Sequence, residues 1–184
     1  MATPKPSHRS PSALKTRRLE LIPLAPDDTP ELLRVCNDPA VRRHLFDGEL
    51  VSEEAAGAMI RRSERDFAEG GVGLFGLRFR GMRGLIGFCG LFVVEEVGEP
   101  ELAYALLPSW WGRGLATEAA RAVAGHAIEG VGLRRVLVAA DGANAASARV
   151  IGRLGARPLG RISPSCPGVN YFEIGAGEVE RWLV

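Results

Sequence analysis

The stretch that decides the fold is Glu101-Leu-Ala-Tyr-Ala-Leu-Leu-Pro-Ser-Trp-Trp-Gly-Arg-Gly-Leu-Ala-Thr-Glu118. Residues 101–107 are mostly apolar and predict a strand, and the alanine-rich residues 114–130 predict a helix. The turn Gly112-Arg-Gly114 joins the two. Such a turn suits an anion, because the first N–H groups of a helix lack internal partners and lie at the positive end of its dipole. By turn chemistry alone, a phosphate site and an ordinary tight connection are equally good interpretations.

The sequence around this stretch predicts an α+β domain. Helix-start residues predict a short helix with Thr29 as its N-cap, a turn at Asp38-Pro39, a longer helix capped by Ser52, and another helix over residues 145–154. Hairpin-like strands followed by one strand–helix–strand crossover indicate a mixed, mostly antiparallel sheet with flanking helices. The further strands are predicted at residues 18–24, 74–80, 85–94, 134–140, 157–162 and 170–176.

The composition fits one domain with a short tail. A chain of 184 residues with 46% hydrophobic and 24% charged residues has the ordinary size of one domain and enough apolar material for a core. Residues 1–16 contain prolines, serines and basic residues but no acidic residue, and we predict that they form a disordered tail. Residues 17–184 are the predicted folded domain.

Charge and cysteine content argue against several other classes of protein. The formal net charge of +1 gives no strong positive field, so no nucleic-acid partner is expected. Cys36, Cys89 and Cys166 are widely spaced, so we expect no disulfide framework, no metal site and a cytoplasmic location. Cys89 lies in an apolar run and is predicted to be buried, whereas Cys166 lies in a proline-rich loop. The apolar run at residues 85–94 is far shorter than the roughly 20 residues of a membrane span, so no membrane partner is expected.

Trp111-Gly-Arg-Gly114-Leu-Ala116 resembles the acyl-CoA loop of the GNAT acetyltransferase superfamily. In that loop Gln or Arg is followed by two residues, Gly, any residue, and Gly or Ala, so Trp111 is a departure from the pattern. A wider set of motifs resembles the branch that contains the ribosomal-protein N-acetyltransferases RimJ and RimL. These motifs are Glu101-Leu-Ala-Tyr104, Thr117-Glu118-Ala119, Asn144-Ala-Ala-Ser147 and Leu154-Gly155-Ala156.

The resemblance implies a sheet that parts between the strands at residues 101–107 and 134–140, with acetyl-CoA in the cleft. The backbone amides of residues 113–117 would surround the pyrophosphate, and residues 103–107 would bond the pantetheine arm like an added strand. Asn144 would face the cleft from the next helix, although it is also a good N-cap residue. The implied cofactor-binding residues are Ala103, Tyr104, Ala105, Leu106, Leu107, Arg113, Gly114, Leu115, Ala116, Thr117, Asn144 and Ser147.

Acetyl transfer from a thioester to an amine needs an uncharged amine, a stabilised oxyanion and a tolerable leaving thiolate. A carboxylate acting through water suffices as base, and Glu101 is the first candidate, with Glu173 a weaker one; both also suit solvated strand ends. The resemblance implies that a backbone N–H near Leu106 stabilises the oxyanion. Many relatives have a tyrosine at the position of Ile151, which cannot donate a proton, so Ser147 is the candidate hydrogen-bond donor in its place.

We therefore expect an N-acetyltransferase that moves an acetyl group from acetyl-CoA to a primary amine by direct attack. The acceptor is a protein N-terminus or a small-molecule amine, and the expected assembly is a monomer or homodimer. The alternative is a CoA-binding sensor or regulatory module without turnover, which Ile151 favours. A dinucleotide fingerprint at residues 71–76 is discounted, because it follows a predicted helix and opens a strand, the reverse of the required context.

Overall fold

A mixed sheet organises the chain. The computed structural model describes residues 12–45, 48–94, 98–162 and 168–182. Within these residues the sheet has the order β1-β2-β3-β4-β5-β6-β8-β7, and every neighbouring pair is antiparallel except β5 and β6. The strands are β1 (Leu14–Lys15), β2 (Leu19–Pro23), β3 (Leu74–Phe79), β4 (Gly87–Val94), β5 (Glu99–Leu106), β6 (Arg135–Asp141), β7 (Arg157–Gly160) and β8 (Val169–Gly175).

Helices cover both faces of this sheet. A short 3-10 turn, Pro26–Asp28, precedes the first helix, and another, Pro108–Trp110, follows β5. A π-helical turn, His126–Val131, extends the fourth helix. None of the helices in the described ranges is long and apolar enough to cross a bilayer. The helices are α1 (Thr29–Cys36), α2 (Pro39–Arg42), α3 (Glu53–Gly70), α4 (Leu115–Gly125), α5 (Ala145–Leu154) and α6 (Ala176–Glu180).

The predicted α+β class and the mixed sheet are confirmed. The parallel pair β5–β6 is the predicted crossover, and α4 connects its two strands. Ser52 caps α3 as predicted, accepting a hydrogen bond from the Ala55 N–H at 3.1 Å. The predicted N-cap of α1 is wrong. Asp28 is the N-cap, and the Thr29 hydroxyl donates to the Pro26 carbonyl at 2.7 Å, because a 3-10 turn leads directly into the helix.

The N-terminal boundary also differs from the prediction. Of the predicted tail, residues 1–11 lie outside the described residues. Leu14 and Lys15 form β1 and pair with Leu21 and Glu20, and the Thr16 hydroxyl donates to Glu118 at 2.6 Å. Residues 14–16 therefore belong to the fold, because a strand partner and a carboxylate acceptor hold a segment whose composition alone suggested disorder.

Two separate cores lie on the two faces of the sheet. The face that we call the α4–α5 face packs against α4 and α5, and the face that we call the α1–α3 face packs against α1, α2 and α3. Strand β5 serves both cores, because successive side chains of a strand point to opposite faces. Its side chains on the α4–α5 face are Leu102, Tyr104 and Leu106, and those on the α1–α3 face include Ala103 and Ala105, followed by Leu107.

Glycines let β4 lie close to its neighbours in the sheet. A Cβ on Gly90 would lie 2.2 Å from the Gly73 carbonyl oxygen, and a Cβ on Gly87 would lie 2.1 Å from the Ala105 carbonyl oxygen. Both contacts are with backbone atoms, which cannot turn aside as a side chain can. Strand β5, which carries the candidate site, is therefore positioned by a strand that tolerates no side chain at these points.

We predict that Gly90→Ala destabilises the protein by about 2–3 kcal/mol, because the added methyl group forces the backbone of β3 and β4 apart. Chemical denaturation measures this loss. Gly152→Ala is the matched control, since Gly152 lies in α5 with open space around its Cβ position. That control should be neutral or stabilising by up to about 1 kcal/mol. Equal stabilities for the two variants would contradict the close packing of β4.

Candidate active site

The sheet parts between β5 and β6. Their parallel ladder contains two pairs, Glu101 with Leu137 and Leu102 with Val138, although β5 continues to Leu106 and β6 to Asp141. Strand β6 keeps its full ladder with β8 on the other side. Backbone groups that leave a ladder need other partners. The parted ends of β5 and β6 therefore form a cleft with unpaired hydrogen-bonding groups along its β5 edge.

Only alternate residues of β5 direct their backbone groups into this cleft. The Leu107 N–H donates to the Ile86 carbonyl on the β4 side at 2.9 Å. Because backbone groups alternate sides along an antiparallel ladder, Ala103 and Ala105 also point toward β4, and Tyr104 and Leu106 point toward the cleft. The backbone groups of Ala103, Ala105 and Leu107 thus cannot bond a ligand in the cleft, and Tyr104 and Leu106 remain predicted contacts.

The glycine turn brings free amides to the mouth of the cleft. Gly112 and Gly114 have φ angles of 72° and 74°, a left-handed conformation that favours glycine, and α4 begins at Leu115. The first bond of this helix runs from the Glu118 N–H to the Gly114 carbonyl at 3.1 Å. In the part of the chain that the structure describes, none of the amides of residues 113–117 donates to a protein acceptor. The start of α4 therefore presents free amides that suit an anionic ligand.

The Thr117 side chain supports an anionic ligand at this turn. Thr117 lies in the first turn of α4 and is 8% exposed. Its hydroxyl oxygen is buried and has no hydrogen-bond partner among the described residues. An unsatisfied buried hydroxyl is costly, and native structures usually supply a partner. A phosphate oxygen bound to the α4 amides is a chemically suitable partner, so the residues present fit a diphosphate.

The Arg18 side chain is hydrogen-bonded to the residues around the glycine turn. Its Nη1 donates to the Arg113 carbonyl at 2.9 Å, and its Nε donates to the Glu118 carboxylate at 2.7 Å. The Arg113 guanidinium itself lies over the Trp110 ring, 5.0 Å from the ring centroid, and is exposed. Two guanidinium groups therefore flank the turn, one fixed by an ion pair and one held by an aromatic ring.

Trp111, which replaces the usual residue at the start of the loop, contacts β5 instead. Its indole N–H donates to the Leu106 carbonyl at 2.5 Å, and the residue remains 46% exposed. Leu106 is one of the two residues whose backbone groups point into the cleft. The indole thus fixes the end of β5 at the point where the chain turns toward α4.

A tyrosine and a serine meet on the α4–α5 face of the cleft. The Tyr104 and Ser147 hydroxyl oxygens are 2.8 Å apart. Burial raises the pKa of Tyr104 to about 12, against the smaller opposing effect of the Ser147 hydrogen bond, so the phenol stays protonated at neutral pH. Asn144 is the N-cap of α5, and its side-chain oxygen accepts from the Ser147 N–H at 2.9 Å. Ile151, one helical turn beyond Ser147, is buried in the core.

Glu101 lies on the opposite face of the sheet and is unpaired. Its strand neighbours, Phe92 and Leu137, are apolar, and none of the described residues forms a hydrogen bond or ion pair with its carboxylate. Burial raises the pKa of Glu101 to about 7. Glu173 differs, because its carboxylate binds Arg135 at 2.6 Å and Arg157 at 2.9 Å. Glu101 is therefore the carboxylate suited to exchange protons near neutral pH, and Glu173 is an ion-pair partner.

The cysteines of the described chain do not provide a nucleophile. Cys36 and Cys89 are buried, and burial raises the pKa of both thiols, that of Cys36 to about 11. Such thiols are not ionised at neutral pH and are inert. Cys166 lies outside the described residues. Among those residues no cluster of three or more His, Cys, Asp or Glu side chains suited to a metal ion is present.

A model of the acetyltransferase (GNAT) domain family matches residues 18–157. The chain belongs to this GNAT acetyltransferase family. The uncharacterized N-acetyltransferase p20 of Bacillus licheniformis is 25% identical over 142 residues, which are 77% of this chain and 80% of that protein. The match confirms the family that the glycine loop predicted.

Solved structures share the fold of this GNAT domain. The crystal structure of an acetyltransferase from Agrobacterium tumefaciens superposes with a TM-score of 0.78 at 23% identity, covering 94% of this chain and 99% of that one. RimL, a ribosomal alpha-N-protein acetyltransferase solved in complex with coenzyme A, superposes with a TM-score of 0.73 at 16% identity, covering 89% and 98%. RimL-type enzymes are thus among the structural neighbours, as the RimJ and RimL resemblance predicted.

Some features of this GNAT site were not predicted. The Tyr104–Ser147 hydrogen bond joins residues 43 positions apart, and the Arg18–Glu118 pair joins residues 100 positions apart. Tyr104 and Ser147 were each predicted to bind the cofactor, yet no sequence signal links their side chains, because their contact depends on how α5 packs against β5. The sequence likewise could not show that the Thr117 hydroxyl is buried without a partner, because this depends on which groups surround it in the folded protein.

We predict that Glu101→Gln raises stability at alkaline pH and not at acid pH. The folded-state pKa of about 7 lies above the ordinary 4.5, so ionisation of Glu101 opposes folding. The cost is absent below pH 4.5, grows as the pH rises from 4.5 to 7, and is complete above 7. Allowing for partial exposure, it is on the order of 2 kcal/mol.

Urea unfolding at pH 5 and pH 8.5 measures this difference. Glu54→Gln is the control, because Glu54 is an exposed residue in the first turn of α3. The gain of Glu101→Gln over the wild type should grow between the two pH values, whereas Glu54→Gln should show no such growth. A gain of the same size at both values would contradict a raised pKa.

Proposed function

We propose that this chain transfers an acetyl group from acetyl-CoA to a primary amine by direct attack. The observation that carries the proposal is the position of the free α4 amides at the end of a parted strand pair. A diphosphate fits the free amides of residues 113–117, and an extended arm fits the unpaired backbone groups of Tyr104 and the unpaired Leu106 N–H. When bound, acetyl-CoA supplies an activated acetyl group as a thioester. Coenzyme A in the solved structure of RimL supports this assignment.

Glu101 is the proposed general base. It lies on the α1–α3 face, where the acceptor amine would approach, and it can take the amine proton directly or through a water molecule. Its pKa of about 7 suits this task, because the group is mostly ionised just above neutral pH and is still basic enough to accept a proton. An α-amine has an ordinary pKa near 8, so its deprotonation by such a carboxylate is a modest step.

The β5 edge and the α4–α5 face would stabilise the developing charges. The Leu106 N–H points into the cleft and can hydrogen-bond the carbonyl oxygen on which negative charge develops. Ser147, held by Tyr104 and by the Asn144 cap, can donate its hydroxyl hydrogen to the departing sulfur. The Ser147 and Tyr104 hydroxyls would thus take the role of the tyrosine that many relatives have at the position of Ile151. This role needs only a hydrogen bond, since a thiolate with an ordinary pKa near 8.5 leaves without full protonation.

The acceptor would enter from the α1–α3 face. One side of the entrance is formed where His44, beyond α2, contacts Asp141 at the end of β6, with 3.2 Å between Nδ1 and Oδ2. A protein N-terminus and a small-molecule amine both present the required primary amine. RimL, a ribosomal alpha-N-protein acetyltransferase, favours the N-terminus as the first class to assay.

A cytoplasmic location also belongs to the proposal, supported by the free, buried thiols of Cys36 and Cys89. The absence of nucleic-acid and membrane partners, and a monomeric or homodimeric state, stay predictions. None of these enters the chemistry of the cleft.

We predict that Thr117→Val weakens acetyl-CoA binding without loss of stability. Valine has the shape of threonine and removes a buried hydroxyl that has no protein partner, so the free protein should be equally stable or slightly more stable. A lost hydrogen bond of about 1 kcal/mol should raise the Kd for acetyl-CoA roughly five- to tenfold. Calorimetric titration measures Kd, and Thr29→Val, far from the turn, is the control. An unchanged Kd for Thr117→Val would contradict a phosphate contact at this hydroxyl.

We predict that Glu101→Gln lowers kcat/KM by about a hundredfold or more, the usual effect of losing a general base, and leaves the Kd of acetyl-CoA within twofold. The measurement is release of the CoA thiol from acetyl-CoA with N-terminal peptides and small primary amines. Glu54→Gln should retain the wild-type rate. A wild-type protein that binds acetyl-CoA but releases no thiol with any amine would be a sensor, and the proposed reaction would be wrong.

A further inference from the structure

An ion-pair cluster lies on the α1–α3 face of the sheet next to Glu101. Arg135 on β6 donates from Nε to Glu99 on β5 at 2.7 Å and from Nη1 to Glu173 on β8 at 2.6 Å. Its Nη2 also donates to Glu99, so Glu99 is bound through both oxygens. Glu173 is held from its other side by Arg157 at 2.9 Å. The Arg135 guanidinium is therefore shared between two carboxylates, and neither of them is Glu101.

Glu101 is within reach of the same guanidinium. Glu99 and Glu101 are two residues apart on β5 and share a face. The parallel register sets Glu101 opposite Leu137, so Arg135, two residues earlier on β6, is its diagonal neighbour. Diagonal neighbours on adjacent strands lie about 7–8 Å apart, a gap that long side chains cross. An arginine free to turn would therefore find Glu101, an unpaired and partly buried carboxylate, as a partner.

Other charged side chains on the neighbouring elements also have partners. On α3, Arg62 pairs with Asp66 at 3.8 Å and donates to the Val93 carbonyl at 2.8 Å. At the far end of β6, Asp141 contacts His44. Tyr171 on β8 shares the face of Glu173, and β4 presents Phe92 opposite Glu101. Arg135 is thus the cation on the adjoining strand whose orientation decides whether Glu101 has a partner.

We propose that Glu99 and Glu173 are positioning residues that hold the Arg135 guanidinium away from the Glu101 carboxylate, so that Glu101 stays unpaired and free to act as base. The consequence for catalysis rests on the proposed function, whereas the orientation of Arg135 is a property of the cofactor-free protein. A cation that pairs with a carboxylate lowers its pKa by about 1–3 units. Release of Arg135 would therefore turn Glu101 into an ordinary ion-paired carboxylate that no longer takes a proton near neutral pH.

The test is a pH titration of the Glu101 side-chain carboxyl by carbon-13 NMR in the cofactor-free protein, with the resonance assigned from Glu101→Gln. In Glu99→Gln/Glu173→Gln the midpoint should fall by one pH unit or more, because Arg135 turns to Glu101. Adding Arg135→Met should return the midpoint to the wild-type value or above it, since no cation remains to move. Glu54→Gln should leave the midpoint unchanged. The single variant Glu99→Gln, at a partly exposed site, replaces the double variant if that one does not fold. It should lower the Glu101 midpoint by a smaller amount.

Kinetic profiles provide the second readout. The acid limb of kcat/KM against pH should move to lower pH in Glu99→Gln/Glu173→Gln and return when Arg135→Met is added. A Glu101 midpoint that stays unchanged when Glu99 and Glu173 are replaced would overturn the positioning role. Failure of the proposed function looks different, because there Glu101→Gln would turn over at the wild-type rate while the NMR midpoints still moved as expected.

Discussion

The structure depends on one constraint of backbone chemistry, which is that every buried N–H and C=O group needs a partner. Strand β5 satisfies this rule on its β4 side along its whole length and on its β6 side only as far as Leu102. Beyond that residue the backbone groups of Tyr104 and the N–H of Leu106 face a cleft without a partner, whereas the Leu106 carbonyl accepts from the Trp111 indole. Two glycines then turn the chain so that the first amides of α4 face the same opening. Unpaired donors and acceptors thus collect in one place, and they define what the cleft can bind.

The alternation of side chains along β5 divides the chemistry between the two faces of the sheet. Tyr104 reaches the α4–α5 face, where it meets Ser147, and Glu101 reaches the α1–α3 face, where it has apolar strand neighbours. A group bound between the strands therefore has hydroxyl donors on one side and a carboxylate of raised pKa on the other. The separation matters because a base close to these hydroxyls would accept their hydrogen bonds and lose its basicity.

Much of the fold follows from local sequence signals, because these act over a few residues. Ser52 before α3 and the bounds of α5 at residues 145–154 were predicted correctly, and the apolar runs marked the strands. The prediction of Thr29 as N-cap failed by one residue, since a preceding turn shifted the helix start. The site was predictable where one segment carries it, as in the glycine loop. It was not predictable where register and packing decide, as in the alternation of β5 amides and the Tyr104–Ser147 contact.

If the free amides of β5 and α4 bind coenzyme A in the parted sheet, their resonances must respond to it. Titration of 15N-labelled protein with coenzyme A, followed through the backbone amide resonances, measures this response. We expect the largest changes at Tyr104, Leu106 and residues 113–117, with smaller changes at Ala103 and Ala105, whose amides point toward β4. Saturable binding that leaves those resonances in place and shifts amides elsewhere would contradict it.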